Sequence, residues 1–567
     1  MSQQSQQQNS HNNNSHSSQS EHQHNSPHSR DENAQNSQHW ADQTADAVIE
    51  RTKDQSTITC ASGITPSGVV HIGNFREIIT TELIVRALRR KIKSQKTNKQ
   101  VRFIYSWDDY DVFRKVPKNM PKQEELKQFL RKPIVDVPDP FGTEESYARH
   151  FEVAIENMLP KMGIAPEFIY QSKKYRACTY AEGMRIALEK KDKIKQILDD
   201  FRAEELTTDF MPIRIFCEKC NLDTVETIEY KGEYTIYYKC ANTDCNHEDT
   251  FDFRKKGIAK LQWRVDWPMR WAHERVDFEP GGKDHSSAGG SFDTGKEIVK
   301  EIYGWHAPHY IMYDFIRIKG GSGKISSSSG DVITVDDALN VYEPQMIRWL
   351  FATNRVGSEF AISFDGDVIK LYEDFDRCER IYYDTEKAKS DKDTIQQKRV
   401  YELSSIDEEN IPMAIPQQFG FRHITTILQV NAMDEEKTYQ FFVKENDKLT
   451  PLAQQRIRTR IACAANWLRD FAPEEYRFLV QESTNEKVPA AIVPAVNNLI
   501  ALLENGDDAD AIGTATYQFC IDNKIEPKAF FESCYKIIIN KTKGPKLIQF
   551  ILAIGKEKVI KILQSSI

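Results

Sequence analysis

The chain has 567 residues and a formal net charge of −8, with 40% hydrophobic and 28% charged residues. That length suits three or four domains, the composition is ordinary for a soluble protein, and no uninterrupted apolar run of about 18 residues is present to span a bilayer. The N-terminus lacks the apolar core of a secretory signal and ten cysteines in so long a chain are no disulfide framework; a cytoplasmic location is expected, and the acidic balance leaves RNA binding to local basic surfaces.

From Met1 to about Arg30 the residues are almost all Gln, Asn, Ser and His. Such a segment buries too little apolar surface to offset its ordering entropy, so 1–46 is expected to be a disordered tail. Its histidines, His11, His16, His22, His24, His28 and His39, are either solvated or opportunistic metal ligands. Order begins near Ala47. Thr57-Ile-Thr-Cys60 reads as a short strand, and Ala61-Ser-Gly-Ile-Thr-Pro-Ser-Gly68 as a turn. Phe75, Ile78, Ile79, Leu83, Ala87 and Leu88 then recur at helical spacing, and Val101-Arg-Phe-Ile-Tyr105 is the next strand. Strand, Gly-containing turn, helix and strand make a βαβ unit, the seed of a parallel sheet.

Pro117, Pro121, Pro133, Pro138 and Pro140 break the pattern beyond Val112, and residues 112–259 read as an insertion into the sheet domain. A helix over 144–162 places Tyr147, Phe151, Ala154 and Met158 on one face. Lys260-Leu-Gln-Trp-Arg-Val265 reads as returning sheet, and Tyr310–Ile318 as a buried strand. Beyond Glu373 the chain is predominantly helical. The expected fold is α/β: a Rossmann-like parallel-sheet domain over 47–372 with a zinc-ribbon-bearing insertion, then an all-α domain over 373–567.

Pro66-Ser-Gly-Val-Val-His-Ile-Gly-Asn-Phe-Arg76 joins the first strand to the first helix. A helix N-terminus offers unpaired N–H groups and a positive dipole end to a phosphate. Gly68 and Gly73 allow close approach, and His71 can hydrogen-bond a phosphate oxygen as charge develops; the plainer alternative is a strand–helix turn with a structural histidine. Gly320-Gly-Ser-Gly-Lys-Ile-Ser-Ser-Ser-Ser-Gly330 is either a linker or a loop whose Lys324 closes over a triphosphate. Cys217-Glu-Lys-Cys220 and Cys240-Ala-Asn-Thr-Asp-Cys245 are two thiol pairs spaced for tetrahedral zinc in a ribbon, structural because four thiolates close the site. The helices after Glu373 carry scattered basic groups, Arg456, Arg458, Arg460 and Lys541-Thr-Lys-Gly-Pro-Lys546, which alone read as solvated faces.

His71-Ile-Gly-Asn74 resembles the HIGH signature of class I aminoacyl-tRNA synthetases, with Asn74 in the last place. The longer string from Ala61 to Glu77 is similar to the lysine-specific class I enzymes, and Lys324-Ile-Ser-Ser-Ser328 resembles their form of the KMSKS signature, Ser327 standing where a second lysine is usual. The resemblance covers nearly everything after the tail. It implies catalytic roles for His71, Asn74 and Lys324, and an ATP site formed by Pro66, Gly68, His71, Gly73, Asn74, Lys324, Ser326, Ser327 and Ser328. It further implies a lysine or adenylate site at Gly63, Thr65, Trp263, His285 and Tyr313, and a helical anticodon-binding domain at the C-terminus. The implied cofactors and partners are ATP with Mg²⁺, structural Zn²⁺, L-lysine and tRNA(Lys), and neither DNA nor a membrane. The family's second metal-like run is altered here, since Thr143 and Glu144 follow Asp139-Pro-Phe-Gly where Cys and His are usual, and no second zinc is expected. A buried lysine ammonium needs an acidic partner, and Glu77, Asp108, Asp109, Asp111, Asp266 and Asp314 are the candidates, with Trp107-Asp-Asp109 alternatively a helix cap. A glutamate or cysteine enzyme of the same class, and a non-catalytic RNA-binding relative, are the rival readings.

Overall fold

The computed structural model describes residues 37, 39–319, 332–444, 446, 448–506 and 508–567. The expected tail up to residue 36 and the loop with Lys324, Ser326, Ser327 and Ser328 lie outside them.

Twelve named strands fall among the described residues. β1 (Thr57–Ile64), β2 (Gln100–Trp107) and β3 (Glu167–Tyr170) come first. β4 (Ile213–Ile215), β5 (Val225–Gly232), β6 (Thr235–Cys240), β7 (Glu248–Asp252) and β8 (Ala259–Leu261) belong to the insertion. β9 (Val276–Gly282), β10 (His309–Tyr313), β11 (Ile316–Ile318) and β12 (Phe360–Ile362) follow. The principal sheet has the order β10-β9-β1-β2-β3 with every pair parallel. In chain order this is 5-4-1-2-3, the doubly wound arrangement whose direction reverses between β1 and β9. β1 is buried from Ile58 to Ser62, as expected of a strand covered on both faces. It runs to Ile64, so Ala61 to Ile64 are sheet and the turn is shorter than the sequence suggested.

Three helices matter most for the site: α1 (Trp40–Arg51), α2 (Ile72–Ser94) and α3 (Trp263–Glu274). α2 buries Ile72, Phe75, Ile78, Ile79, Leu83, Ile84 and Leu88 against the sheet and carries Lys91 and Lys93 at its negative dipole end. The expected sheet over 260–265 is a correction: β8 stops at Leu261 and α3 starts at Trp263. Trp263, Trp267 and Trp271 recur every four residues, which is helical spacing. The run 310–318 is also corrected. It breaks at Asp314 into edge strand β10, which is half-exposed, and β11, which pairs with β12. The helix expected over 144–162 is α-helical from Tyr147 to Met158 and finishes in a 3₁₀ turn to Met162.

Order begins before Ala47. His39 caps α1, its Nδ1 accepting from Ala41 N at 3.2 Å, and its Nε2 lies 2.8 Å from the Ala352 carbonyl. It is buried, not a solvated tail residue, and burial pulls its pKa down to about 4. Asp42 is fully buried and receives two Arg399 N–H groups, both at 2.9 Å. Small Ala41 and Ala45 form the buried face of α1 with Val48, too weak an apolar stripe to stand out beside the polar tail.

The boundary at 372/373 falls inside the helix Asp367–Tyr382. One apolar core runs from Ala41 to Ala472, and a separate one spans Val480 to Leu563. Arg456 and Arg460 tie the helix Pro451–Asp470 into the first core: Arg456 Nη1 donates to Glu379 at 2.7 Å and Arg460 Nη1 to Asp376 at 2.9 Å. Both are buried, and Arg458 pairs with Glu436 at 2.8 Å, so these arginines are not an open basic face. Among the described residues no helix is long and apolar enough to cross a membrane.

Removing one partner of a buried ion pair strands the other charge. Asp42→Ala, which leaves Arg399 only Glu402 at 3.0 Å and Glu408 at 3.6 Å, is expected to cost about 3 kcal/mol in urea unfolding. A wild-type midpoint would show that α1 contributes nothing to this core.

Candidate active site

In doubly wound sheets ligands gather at the C-terminal strand ends where the order reverses. A cavity of about 770 Å³ lies there, lined by Gly63 and Ile64 of β1, the turn and first residues of α2, Asp108 and Asp111 after β2, Trp263, Gly282, His285 and Tyr313. A smaller cavity of about 60 Å³ shares Gly63, Glu77, Asp108, Trp263 and His285 with it and is closed by Trp267, Arg270, Trp271 and Glu279.

The start of α2 is built around His71. Its Nδ1 accepts from Asn74 N at 3.2 Å, while Asn74 Oδ1 accepts from His71 N at 3.2 Å, a reciprocal capping box. An acceptor Nδ1 places the proton of the neutral ring on Nε2, leaving that nitrogen a donor. A Cβ on Gly73 would sit 2.8 Å from His71 Nδ1, so only glycine leaves room for the ring. Ile72 N–H is taken by the Ile333 carbonyl at 2.9 Å and Asn74 N–H by His71, so it is the positive dipole end of the helix, at the border of the larger cavity, that suits a phosphate. Gly63 has a different reason: a Cβ there would meet the Ser106 carbonyl of β2 at 2.7 Å.

Behind this helix end the charge reverses. Glu77, one turn further along α2, accepts from Gly63 N–H and from the Tyr313 hydroxyl, each at 2.9 Å. Burial, opposed by the Gly63 bond and assisted by the Glu279 charge, pushes its pKa up to about 8. Glu279 on β9 accepts from Trp271 Nε1 at 2.6 Å, and burial raises it to about 7. Asp108 is likewise raised by burial, although Arg270 Nη1 donates to it at 2.6 Å. Glu77, Asp108 and Glu279 are thus buried near one another, while Arg270 is shared between Asp108 at 2.6 Å and Asp266 at 3.7 Å. The aromatic wall is α3: Trp263 stacks on Trp267 at 5.2 Å between centroids and 15° between planes, with His285 5.9 Å from Trp263.

The other acidic candidates are occupied. Asp111 accepts from Lys260 Nζ at 2.6 Å and from Thr65 Oγ1 at 3.2 Å. Asp109 accepts from Ser172 N at 2.7 Å in the first turn of the helix Gln171–Arg176, so it caps that helix from the end of β2. Asp266 accepts from Tyr175 OH at 2.6 Å, and Asp314 from Phe315 N at 2.8 Å.

Of the expected substrate residues, Gly63, Thr65, Gly68, His71, Gly73, Asn74, Trp263, His285 and Tyr313 line one cavity. Pro66 does not line it; Thr65 and Ser67 on either side do. Glu279 and Arg270 went unread as site residues. Glu279 is hidden in a strand whose sequence, Val-Asp-Phe-Glu-Pro-Gly-Gly, shows no pattern pointing inward. Arg76, part of the motif string but given no role, donates to five backbone carbonyls, those of Asp314, Phe315, Arg355, Val356 and Ser358.

In the insertion, β5, β6 and β7 form an antiparallel sheet next to the four cysteines. Cys217 and Cys245 sulfurs are 3.8 Å apart, those of Cys220 and Cys240 3.6 Å, and all four lie within 4.8 Å of one another. Thiolates at about 2.3 Å from a tetrahedral zinc stand about 3.8 Å apart, so the set fits that ion. The run from Asp139 is closed by its own bonds instead: Asp139 accepts from Phe141, Thr143 and Glu144 N at 3.0, 2.8 and 2.9 Å, and Thr143 Oγ1 lies 3.1 Å from His150 Nδ1.

A family model described as tRNA synthetases class I (K) matches residues 38–407. A lysine–tRNA ligase of Borrelia garinii subsp. bavariensis is 46% identical over 92% of this chain and 99% of its own length. That of Treponema pallidum is 43% identical over 92% and 97%, and that of Thermococcus kodakarensis 40% over 92% and 98%. Among solved structures, a glutamate tRNA ligase from Elizabethkingia meningosepticum aligns over 90% of this chain and 99% of its own, at 13% identity and a TM-score of 0.42. With a family match across most of the chain and relatives this similar over nearly their whole length, the protein belongs to the lysine family of class I tRNA synthetases.

Proposed function

We propose that this protein activates L-lysine with ATP and transfers it to the 3′ end of tRNA(Lys), and that Glu77, Asp108 and Glu279 receive the lysine ammonium. The surplus of buried carboxylate over Arg270 carries the reading: it needs a cation, and lysine brings one. The same surplus opposes the glutamate and cysteine alternatives, since it would repel an anionic side chain and gains nothing from a thiol. In this arrangement Trp263 flanks the aliphatic stem of lysine. Gly63 and Tyr313, which already bond Glu77, hold the receiving carboxylate in place, and His285 and Thr65 close the cavity around the amino acid.

The lysine carboxylate attacks the α-phosphorus of ATP, forming lysyl-adenylate and releasing pyrophosphate. His71, Asn74, Gly68 and Gly73 present the N-terminus of α2 to the phosphates, and His71 Nε2–H bonds a phosphate oxygen as charge builds. Lys324, with Ser326, Ser327 and Ser328, neutralises the departing pyrophosphate, a role that rests on sequence alone. Magnesium enters with ATP and spreads the same charge. The terminal ribose hydroxyl of the tRNA then attacks the adenylate carbonyl and expels AMP. Positioning and electrostatics supply the rate. Zinc held by Cys217, Cys220, Cys240 and Cys245 has a structural role, stapling the two ends of the ribbon.

ATP–pyrophosphate exchange tests the reaction directly. It is expected with lysine and not with glutamate or cysteine, each assayed with and without tRNA; exchange with another amino acid alone would refute the lysine assignment. Glu77 gives a pH signature. Its pKa of about 8 in the empty cavity falls when an ammonium sits beside it, so lysine binding releases a proton near neutral pH, and affinity drops as pH falls below about 8. Glu77→Gln is expected to weaken lysine binding about 10- to 100-fold, the loss of a charge-assisted bond of 1.5–3 kcal/mol, and to reduce the proton release seen by calorimetry in buffers of different ionisation enthalpy. Unaltered release in the variant would remove Glu77 from the ammonium site. Metal analysis should find one zinc per chain, lost in Cys217→Ser; wild-type protein purified without chelators yet free of zinc would count against the cluster.

A further inference from the structure

β10 is an edge strand of the principal sheet, and its pairing with β9 ends at Tyr313, opposite Gly282. Beyond Tyr313 no strand ladder holds the backbone until β11 pairs with β12 at Ile316. Arg76 of α2 holds the gap. Its Nη1 donates to the carbonyls of Asp314 and Phe315 at 2.6 and 3.0 Å. Its Nη2 donates to those of Val356 and Ser358, both at 2.8 Å, and of Arg355 at 3.3 Å. Asp314 N–H adds a bond to the Val356 carbonyl at 3.3 Å. Arg76 is buried, and its guanidinium lies 5.0 Å from the centre of the Phe360 ring. Five acceptors on two chain segments call for a planar fork of donors, which a guanidinium has and the point charge of an ammonium lacks. A charge taken out of water is costly, and here it is used to hold irregular backbone at the end of one strand.

That strand end reaches the acidic pocket. Tyr313 OH donates to Glu77 Oε2 at 2.9 Å, while Gly63 N–H donates to Oε1 at 2.9 Å. Burial and the Glu77 charge push the Tyr313 pKa well up, so the phenol stays a donor. Arg76 and Glu77 are consecutive in α2, and they grip consecutive parts of the same chain: Arg76 the Asp314 backbone, Glu77 the Tyr313 side chain. If the end of β10 moves, Glu77 keeps one fixed oxygen and loses the other. Arg76 itself lines neither cavity, so any effect it has on the amino acid passes through its neighbours. We propose that Arg76 is a positioning residue for lysine recognition, fixing the end of β10 so that Tyr313 keeps Glu77 oriented towards the ammonium. This assignment rests on the lysine-charging reading. The rival role is on the nucleotide side, because the same grip steadies β11, which leads towards Lys324.

The test is a double-mutant cycle on the full chain, read by lysine-dependent ATP–pyrophosphate exchange with tRNA present. Arg76→Lys and Tyr313→Phe are each expected to raise the KM for lysine about tenfold and that for ATP less than about twofold. Joined in one chain they should be no worse than Tyr313→Phe alone, within about twofold, because both act on one path. Losses that multiply would show that Arg76 does not work through Tyr313 and would overturn the proposal. A raised ATP KM with an unchanged lysine KM would assign Arg76 to β11 and overturn it equally. Phe360→Leu removes only the ring beside the guanidinium; it should raise the lysine KM in the same direction and lose that effect in the Tyr313→Phe background, which keeps the test readable if Arg76→Lys folds poorly. Wild-type lysine KM in both Arg76→Lys and Phe360→Leu would also refute the assignment. A wild-type enzyme without lysine-dependent exchange would sink the charging reading and this one with it, whereas exchange in the wild type with multiplying losses would sink this one alone.

Discussion

Negative charge held inside protein is the constraint on which the site depends. Each of Glu77, Asp108 and Glu279 is buried enough for desolvation to raise its pKa, and the two cations nearby, Arg270 and Lys260, are shared with Asp266 and Asp111. A charge taken out of water is costly until it is paired. The protein meets that cost by holding protons on Glu77 and Glu279 near neutral pH. Because their folded pKa values exceed those of an unfolded chain, this contribution to stability is present at low pH and declines as pH rises towards about 8. A ligand with its own positive charge removes the conflict. The same electrostatic demand underlies the proposed preference for a cationic side chain.

Helix α2 organises the rest. Its first residue follows the His71 cap, its second turn carries Glu77, and between them Arg76 binds the carbonyls of two segments, Asp314–Phe315 and Arg355–Ser358. Arg76 has no carboxylate ligand in this set; the carbonyls satisfy it, while burial lowers its pKa to about 10. Further along, Glu82 and Arg86 pair at 2.7 Å, and Arg86 donates to the Gly163 and Ile406 carbonyls at 3.1 and 3.0 Å. One helix thus touches the proposed nucleotide end, the acidic pocket and the helical half of the first core, so changes in its packing reach all three.

Sequence reading recovers the parts whose signals are local. A glycine turn between a strand and an apolar-periodic helix locates His71, Gly73 and Asn74, and paired cysteines locate the four-thiol cluster. Trp263, His285 and Tyr313 come from resemblance, and the structure brings them to the same cavity. What escapes depends on distant partners. Glu279 lies in an unremarkable strand and gains meaning only beside Trp271 and Glu77. Arg456 and Arg460 look like surface charges until Glu343, Asp376 and Glu379 are packed against them. Asp42 sits next to a polar tail, and its partner Arg399 is 357 residues away. The three tryptophans of α3 did carry a local signal, a spacing of four, masked by the β-branched and aromatic content of the run.

The geometry of α2 also bears on substrate length. An α-helix rises about 1.5 Å per residue, so Glu77 lies about 9 Å along the axis from His71. From ammonium nitrogen to carboxyl carbon, extended lysine spans six bonds, about 7.5 Å at bond lengths near 1.5 Å. In the proposed arrangement, a lysine whose ammonium rests against Glu77 carries its carboxylate back towards the first turn of the helix, the proposed seat of the α-phosphate. A side chain one methylene shorter would leave either the ammonium short of the carboxylates or the nucleophile about 1 Å short of phosphorus, and displacements of that size cost on the order of a hundredfold in rate. Since both proposed anchors lie on one helix, neither could shift to accommodate the shorter molecule without moving the other, and the proposed acidic pocket would select for length as well as charge.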